Sequence, residues 1–176
     1  MWKKITVRYG VAAGLLLSLL LFLPYALWGS RYYFELAEAS AYGTILLTLA
    51  AAIFLGIRNR REKECGGTIP FSKAFSTGWT IALAASVIVY LCVYLFLELK
   101  GGEWMERYYQ HRLEQLHTKY SDREVLLQKV AELEEDFSKS SKDHLNVNSQ
   151  ASMIFFIVLL FGTLISLASA GIQRRE

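Results

Sequence analysis

Four apolar stretches without a charged side chain dominate this sequence. They cover residues 9–28, 39–57, 74–97 and 151–172, and each contains 19 to 24 residues. At a helical rise of about 1.5 Å per residue, every stretch is long enough to cross the roughly 30 Å hydrocarbon layer of a bilayer. The sequence therefore predicts an all-α integral membrane protein built as a four-helix bundle.

The overall composition agrees with a membrane location. Of the 176 residues, 53% are hydrophobic, and the mean hydropathy is +0.27. Because the four stretches take up about half of the chain, residues 1–176 are expected to form a single membrane domain. A net charge of +3 gives no reason to expect a nucleic-acid partner. Cys65 and Cys92 should lie at different depths in the membrane, which predicts two free thiols.

The first apolar stretch is predicted to remain in the protein as a span. It exceeds the 7 to 15 apolar residues of a typical signal peptide, and bulky residues from Pro24 to Trp28 replace a small-residue cleavage site. Aromatic residues flank this stretch at both ends and are typical of a belt at the headgroup level. A ligand-stacking cluster in the outer loop is the alternative. The aromatic residues are Trp2, Tyr9, Tyr25, Trp28, Tyr32 and Tyr33.

The distribution of basic residues predicts the orientation. If the spans alternate, one side of the membrane collects ten of them: Lys3, Lys4, Arg8, Arg58, Arg60, Arg61, Lys63, Lys73, Arg174 and Arg175. The short loop on the opposite side, residues 29–38, contains only Arg31. The positive-inside rule then places both termini and the 58–73 loop in the cytoplasm, and the Glu98–Gln150 segment outside.

Small residues recur at four-residue spacing within the spans, where they allow helices to approach closely in lipid. The predicted packing residues are Gly10, Gly14 and Ser18 in the first span, Ala74, Gly78, Ala82 and Ser86 in the third, and Gly162, Ser166 and Ala170 in the fourth. These stripes fit either packing within one chain or association of two copies. The sequence leaves both interpretations open because they use the same contacts.

The polar groups inside the spans are hydroxyls, with no ionisable side chain that could couple transport to protons. No nucleophile paired with a base, no nucleotide-binding loop and no cofactor motif is recognisable. His111, Glu114 and His117 suggest a metal site, but six residues separate the histidines and place them on different helix faces. We expect a solvated helix surface there, with no catalytic, cofactor or metal site.

The segment between the third and fourth spans has a helical pattern. Two apolar stripes, one from Met105 to Tyr120 and one from Leu126 to Phe137, predict an outward-facing amphipathic hairpin over residues 101–141. Its first helix could continue from the third span through Gly101 and Gly102. Ser121 and Glu124 fit a capping box at the start of the second helix. Residues 138–150 are polar and are predicted to be a linker.

The inner loop carries a recognisable string. It runs from Gly66-Gly67-Thr68-Ile69-Pro70-Phe71 to Gly78, after Gly56-Ile57-Arg58 and a basic run. Together with Arg8-Tyr9-Gly10 and Gly14, it resembles the bacterial membrane family called domain of unknown function 4199, found chiefly in Bacteroidota. The resemblance implies four spans and transfers no catalytic residue.

The same loop is the best candidate for a contact with lipid or a partner. The residues concerned are Arg58, Arg60, Arg61, Lys63, Gly66, Gly67, Phe71 and Lys73. A purely structural role, setting the entry angle of the third span, is the competing interpretation. For the whole protein, the sequence favours a non-enzymatic structural or interaction protein acting through helix packing, in a homo-oligomer or on an envelope partner. A passive channel or carrier for a small neutral solute is the alternative.

Overall fold

The chain is all-helical, as the sequence predicts. A computed structural model describes residues 2–120, 122–143 and 147–173, without the side chains of 2–5, 23–42, 104–105, 137 and 139–143. The helical segments are α1 (Trp2–Glu64), α2 (Phe71–Lys119), α3 (Arg123–Asp143) and α4 (Val147–Gln173).

Three stretches are long and apolar enough to cross a membrane. They are Gly43–Glu64, Phe71–Glu103 and Val147–Gln173; the first overlaps the predicted span 39–57 from Gly43 onward, and the other two contain the predicted spans 74–97 and 151–172. No more than a third of the most apolar window in each is buried inside the protein, so most apolar side chains point outward, as contact with lipid requires. The first predicted span corresponds to a shorter apolar helix, Thr6–Phe22. Its remaining side chains, and the aromatic residues from Tyr25 to Tyr33, lie outside the described ones.

The two arms of α1, Thr6–Phe22 and Gly43–Glu64, run in opposite directions. In one straight helix, Tyr9 and Gly56 would be about 70 Å apart. Instead, the Cγ atom of Tyr9 lies 3.6 Å from the position of a Cβ built on Gly56. The chain therefore folds back between the arms. The sequence predicted a loop at 29–38, whereas the backbone there is helical. Only the second part of this segment, Glu-Leu-Ala-Glu at 35–38, consists of strong helix formers.

Segment α2 is the central element of the fold. The first arm runs parallel to it, since Gly10 meets Ile81 and Ala84 while Gly14 meets Ala85 and Ile88. The second arm and α4 run antiparallel to α2. Between these segments lies a core of fully buried aliphatic side chains, among them Leu17, Leu49, Ile53, Ile81, Val89 and Val158.

Beyond the membrane-length stretch, α2 continues without interruption to Lys119. Gly101 and Gly102 do not break it, because neither has a positive φ angle and the cost of a helical glycine is only about 1 kcal/mol. Segment α3 begins after a turn at Tyr120, where the Glu124 amide donates to Asp122 Oδ1 at 2.9 Å. Asp122 therefore caps α3; the predicted capping residue, Ser121, lies outside the described residues.

The prediction of a linker at 138–150 was wrong for most of its length. Segment α3 extends to Asp143 and α4 begins at Val147. Lysine is a good helix former, and serine costs at most about 0.7 kcal/mol per residue relative to alanine, so the polar composition indicated exposure and did not indicate the absence of a helix.

The close contact between α4 and α2 predicts a position-specific effect of one methyl group. A Cβ on Gly162 would overlap the Cβ of Ala82, whereas a Cβ on Gly171 in the same helix would meet nothing within 4 Å. We expect Gly162→Ala to destabilise the protein by about 1–3 kcal/mol through overpacking. Thermal unfolding in detergent measures this effect.

Gly171→Ala is the matched control and should leave the unfolding temperature unchanged or slightly higher. Adding Ala82→Gly to Gly162→Ala should recover most of the loss, since it removes the opposing methyl group. Equal stability of Gly162→Ala and Gly171→Ala would contradict the described contact.

Candidate functional site

All ten small residues predicted to pack helices are buried in the structure. The four glycines face other helices of the same chain. A Cβ on Gly10 would lie 2.5 Å from Ala84 Cβ, and one on Gly14 would lie 2.7 Å from Ile88 Cβ. Similarly, Gly78 faces Ser166 Oγ at 2.7 Å. These positions therefore serve contacts within one chain, where any side chain larger than hydrogen would separate the helices.

The hydroxyl groups at these interfaces are bonded within their own helices. The hydroxyls of Ser18, Ser86 and Ser166 donate to the carbonyl oxygens of Gly14, Ala82 and Gly162, respectively, at 2.6–2.8 Å. Thr80 and Thr163 donate in the same way to Ser76 and Leu159. Each donor is thus satisfied without a solute, and the intervening surfaces are aliphatic.

A basic cluster forms one end of the structure, where α1 ends and α2 begins. Arg60 joins the two segments, because its Nη1 donates to Thr77 Oγ1 at 2.5 Å while its Nε lies 3.4 Å from Glu64 Oε2. The Thr77 hydroxyl in turn donates to the Lys73 carbonyl at 2.6 Å. Only 13% of the Arg60 side chain is exposed. Arg60 therefore helps to hold the helices together and is less available to outside ligands.

Among the other basic residues of the cluster, Arg58, Lys63 and Lys73 are accessible, whereas the side chain of Arg61 is only 18% exposed. Arg58 Nε donates to Glu62 Oε1 at 2.8 Å on the exposed surface, and Arg61 Nη2 lies 3.9 Å from the same carboxylate oxygen. Lys63 and Lys73 are exposed. The structure thus brings the predicted basic residues to one end of the molecule, but it gives them different roles.

Two glycines make the turn between α1 and α2. Gly66 and Gly67 have φ angles of 62° and 91°, which a residue with a Cβ adopts only with strain. The Gly67 amide donates to the Arg61 carbonyl at 3.0 Å and closes the end of α1. Beside the turn, Phe71 is 41% exposed and stacks on Phe75 with ring centroids 6.3 Å apart.

Gln173 also lies at this end, and sequence analysis missed it. Its Nε2 donates to the Phe54 carbonyl at 2.9 Å, and the residue is only 3% exposed. This bond ties the end of α4 to the second arm of α1. A single polar residue that follows an apolar run gave no signal of such a contact, because the partner lies 119 residues earlier in the chain.

At the opposite end, α3 folds back along α2 around a cleft of about 270 Å³. Charged side chains of both signs line this cleft, including Arg112, Lys119, Lys129, Glu132 and Asp136. A hydrogen bond from Lys129 to Glu132, at 2.6 Å, raises the pKa of the Lys129 ammonium group.

The prediction of a solvated surface at the two histidines was wrong for His111. This residue is 8% exposed, and its Nε2 lies 3.0 Å from Gln115 Nε2. The apolar pattern of the sequence does not include His111 and so did not indicate its burial. Glu114 and His117 are exposed as expected. Within the described residues, no three histidine, cysteine or acidic side chains form a group that could hold a metal ion.

An apolar groove of about 300 Å³ lies between α2 and α4 on the outer surface. Val87, Tyr90, Ser152, Phe155 and Phe156 line it. The Tyr90 hydroxyl donates to Asn148 Oδ1 at 2.5 Å near the start of α4. This bond joins the two helices at the end opposite to the basic cluster.

These features define a class: an all-helical protein with apolar helices that are compatible with a membrane and that pack through small residues. The comparison with known families agrees. The family model described as "Protein of unknown function (DUF4199)" matches residues 8–175, so the chain belongs to this family. No curated protein and no solved structure matches the chain.

The Arg60–Thr77 bond predicts that two neighbouring threonines differ in importance. Thr77→Val removes the acceptor of the arginine bond, whereas Thr80→Val removes only a bond to Ser76 in the same helix. Valine keeps the shape and the helix propensity in both variants. Because hydrogen bonds to charged groups contribute about 1.5–3 kcal/mol, we expect Thr77→Val to lose about 2 kcal/mol more than Thr80→Val in detergent unfolding. Equal losses would show that the bond does not join α1 to α2.

Proposed function

We propose that this chain is a four-span protein of the bacterial cytoplasmic (inner) membrane that has no enzymatic activity. It acts as a structural or interaction protein through helix packing. Both termini and the 58–73 loop face the cytoplasm, while the Glu98–Gln150 segment faces outward. The partner is a second copy or another envelope protein, in addition to the bilayer itself.

One observation carries this proposal: the interfaces between the helices are occupied by the chain's own small and aliphatic residues. The ten small residues are buried, and the serine hydroxyls among them bond to backbone carbonyls. A pathway for a neutral solute would need hydroxyls that are free to bond to it. This arrangement favours packing over a passive channel or carrier.

Three of the four proposed spans are helices of membrane length, and the remaining one is the shorter first arm of α1, Thr6–Phe22. It follows α2 in parallel over its described length, from Gly10 beside Ile81 to Phe22, whose ring lies 4.5 Å from that of Phe96. A helix that stays beside a membrane-length helix shares its depth in the bilayer. The four helices then alternate in direction, and the basic cluster is on one side, as the positive-inside rule requires.

The outer hairpin supplies a surface for interaction. Segment α2 extends 16 residues beyond Glu103, the end of its apolar stretch, which corresponds to about 24 Å above the membrane. On α3, the side chain of Leu127 is 61% exposed although it lies outside the lipid-facing stretches. An exposed leucine on a projecting charged helix is suited to contact another protein.

Labelling of cysteines tests the orientation. The two native cysteines are free, so Cys92→Ala leaves Cys65 as a probe of the inner loop. In a variant with neither native cysteine, Ala131→Cys places a probe on the exposed surface of α3. A membrane-impermeant maleimide should label Ala131→Cys in intact spheroplasts and Cys65 only after permeabilisation. Labelling of both on the same side would refute a membrane-spanning α2.

Two measurements test the function. Liposomes containing the purified protein should take up glycerol no faster than empty liposomes, because no hydroxyl-lined path is predicted; faster uptake would favour a channel. A photo-crosslinking residue at Leu127 should give a discrete protein adduct in native membranes. The same residue at Leu164, 54% exposed in α4, should react mainly with lipid. Indistinguishable products at the two sites would count against an interaction surface on the hairpin.

A further inference from the structure

We propose that the cytoplasmic end of α1 and α2 binds the headgroup of an anionic phospholipid. The headgroup site consists of Arg58, Arg61, Lys63, Phe71 and Lys73. This inference rests on the proposed membrane topology, and it deepens that proposal by giving the basic cluster a ligand.

The charge of this end is not balanced by the protein. Between residues 58 and 73 there are five basic side chains and two carboxylates, which leaves an excess of three positive charges. Glu64 pairs with the half-buried Arg60, and Glu62 is shared by Arg58 and Arg61. Among the described residues, no carboxylate forms an ion pair with Lys63 or Lys73. The two lysines are therefore the groups most available to an anion.

The Arg60–Thr77 bond fixes where these lysines lie. Because of this bond, Arg60 on α1 and Thr77 on α2 lie side by side on the two antiparallel helices. Toward the loop, Lys63 is three residues beyond Arg60 and Lys73 is four residues before Thr77, about one helical turn in each case. The lysines are thus at the same height on adjacent helices, whose axes lie roughly 8–10 Å apart when packed. Flexible side chains can bridge such a distance around one phosphate group.

The apolar neighbour of the lysines favours a lipid over a soluble anion or an acidic protein segment. Phe71 is the first residue of the membrane-length part of α2 and is 41% exposed. Two turns deeper, Trp79 is 40% exposed on the same helix. Exposed aromatic rings beside lysines are typical of the interface, where the rings contact acyl chains and the ammonium groups reach the phosphates.

Lipid retention tests this site. The full-length protein, purified from detergent into nanodiscs of mixed phosphatidylglycerol and phosphatidylcholine, should enrich phosphatidylglycerol around it. Each lysine near a charged surface contributes about a fivefold preference, so Lys63→Gln with Lys73→Gln should lower the enrichment by up to about 30-fold. Lys63→Arg with Lys73→Arg should retain it. The matched control, Lys119→Gln with Lys129→Gln, removes two lysines of the hairpin beyond Glu103, away from the proposed headgroup site, and should leave enrichment unchanged.

Three outcomes would overturn the inference. The glutamine pair could keep full enrichment, the control pair could lose as much, or millimolar inorganic phosphate could displace the lipid, which would indicate a site for free anions. Circular dichroism of each variant shows whether it is folded. If the glutamine pair is not folded, Lys63→Arg with Lys73→Arg still tests the site, because this variant keeps both charges and should keep the enrichment. Maleimide labelling of Cys65 is read separately, so a reversed topology is recognised independently of lipid binding.

Discussion

Close approach of backbones to α2 is the constraint on which the rest of this structure depends. In lipid, apolar side chains gain nothing by leaving the solvent, so helices associate through van der Waals contact at short distance. Gly10, Gly14 and Gly162 each lack the Cβ atom that would collide with α2. On α2 itself, Gly78 lacks the Cβ atom that would collide with Ser166. The first arm of α1 and α4 both pack on α2 in this way, and the second arm meets it at Gly56.

This packing also decides what the polar residues can do. Once the helices are in contact, a hydroxyl between them must bond to a neighbour, and the carbonyl four residues earlier is always within reach. Ser86 and Ser166 use that acceptor. Arginine is too long for such a bond, so Arg60 reaches across to Thr77 at the end of the helices. Among the described residues, the hydroxyls of Ser18, Ser86 and Ser166 are thereby bonded to the backbone of their own helices.

The parts of the fold that were predictable are those encoded by local patterns. Charge-free stretches indicated the three helices that are long enough to cross a membrane, and the small residues four apart in the first, third and fourth stretches are buried. Local patterns failed where a residue's burial or bonding depends on a distant part of the chain, and where a helix has no apolar stripe. His111 is buried, Gln173 bonds to Phe54, and residues 138–143 are helical without an apolar stripe. The basic loop residues were predicted as one set, whereas the structure separates the largely buried Arg60 and Arg61 from the exposed Arg58, Lys63 and Lys73.

By itself, the sequence determined that the segments are helical and that three of them are long and apolar enough to cross a membrane, because the length of an apolar stretch depends only on neighbouring residues. Only the tertiary structure decided which small residue faces which helix, that the two arms of α1 run in opposite directions, and that Arg60 bonds to Thr77. Those relations join residues that are distant in the chain, so the geometry of packed helices sets them and no local spacing records them.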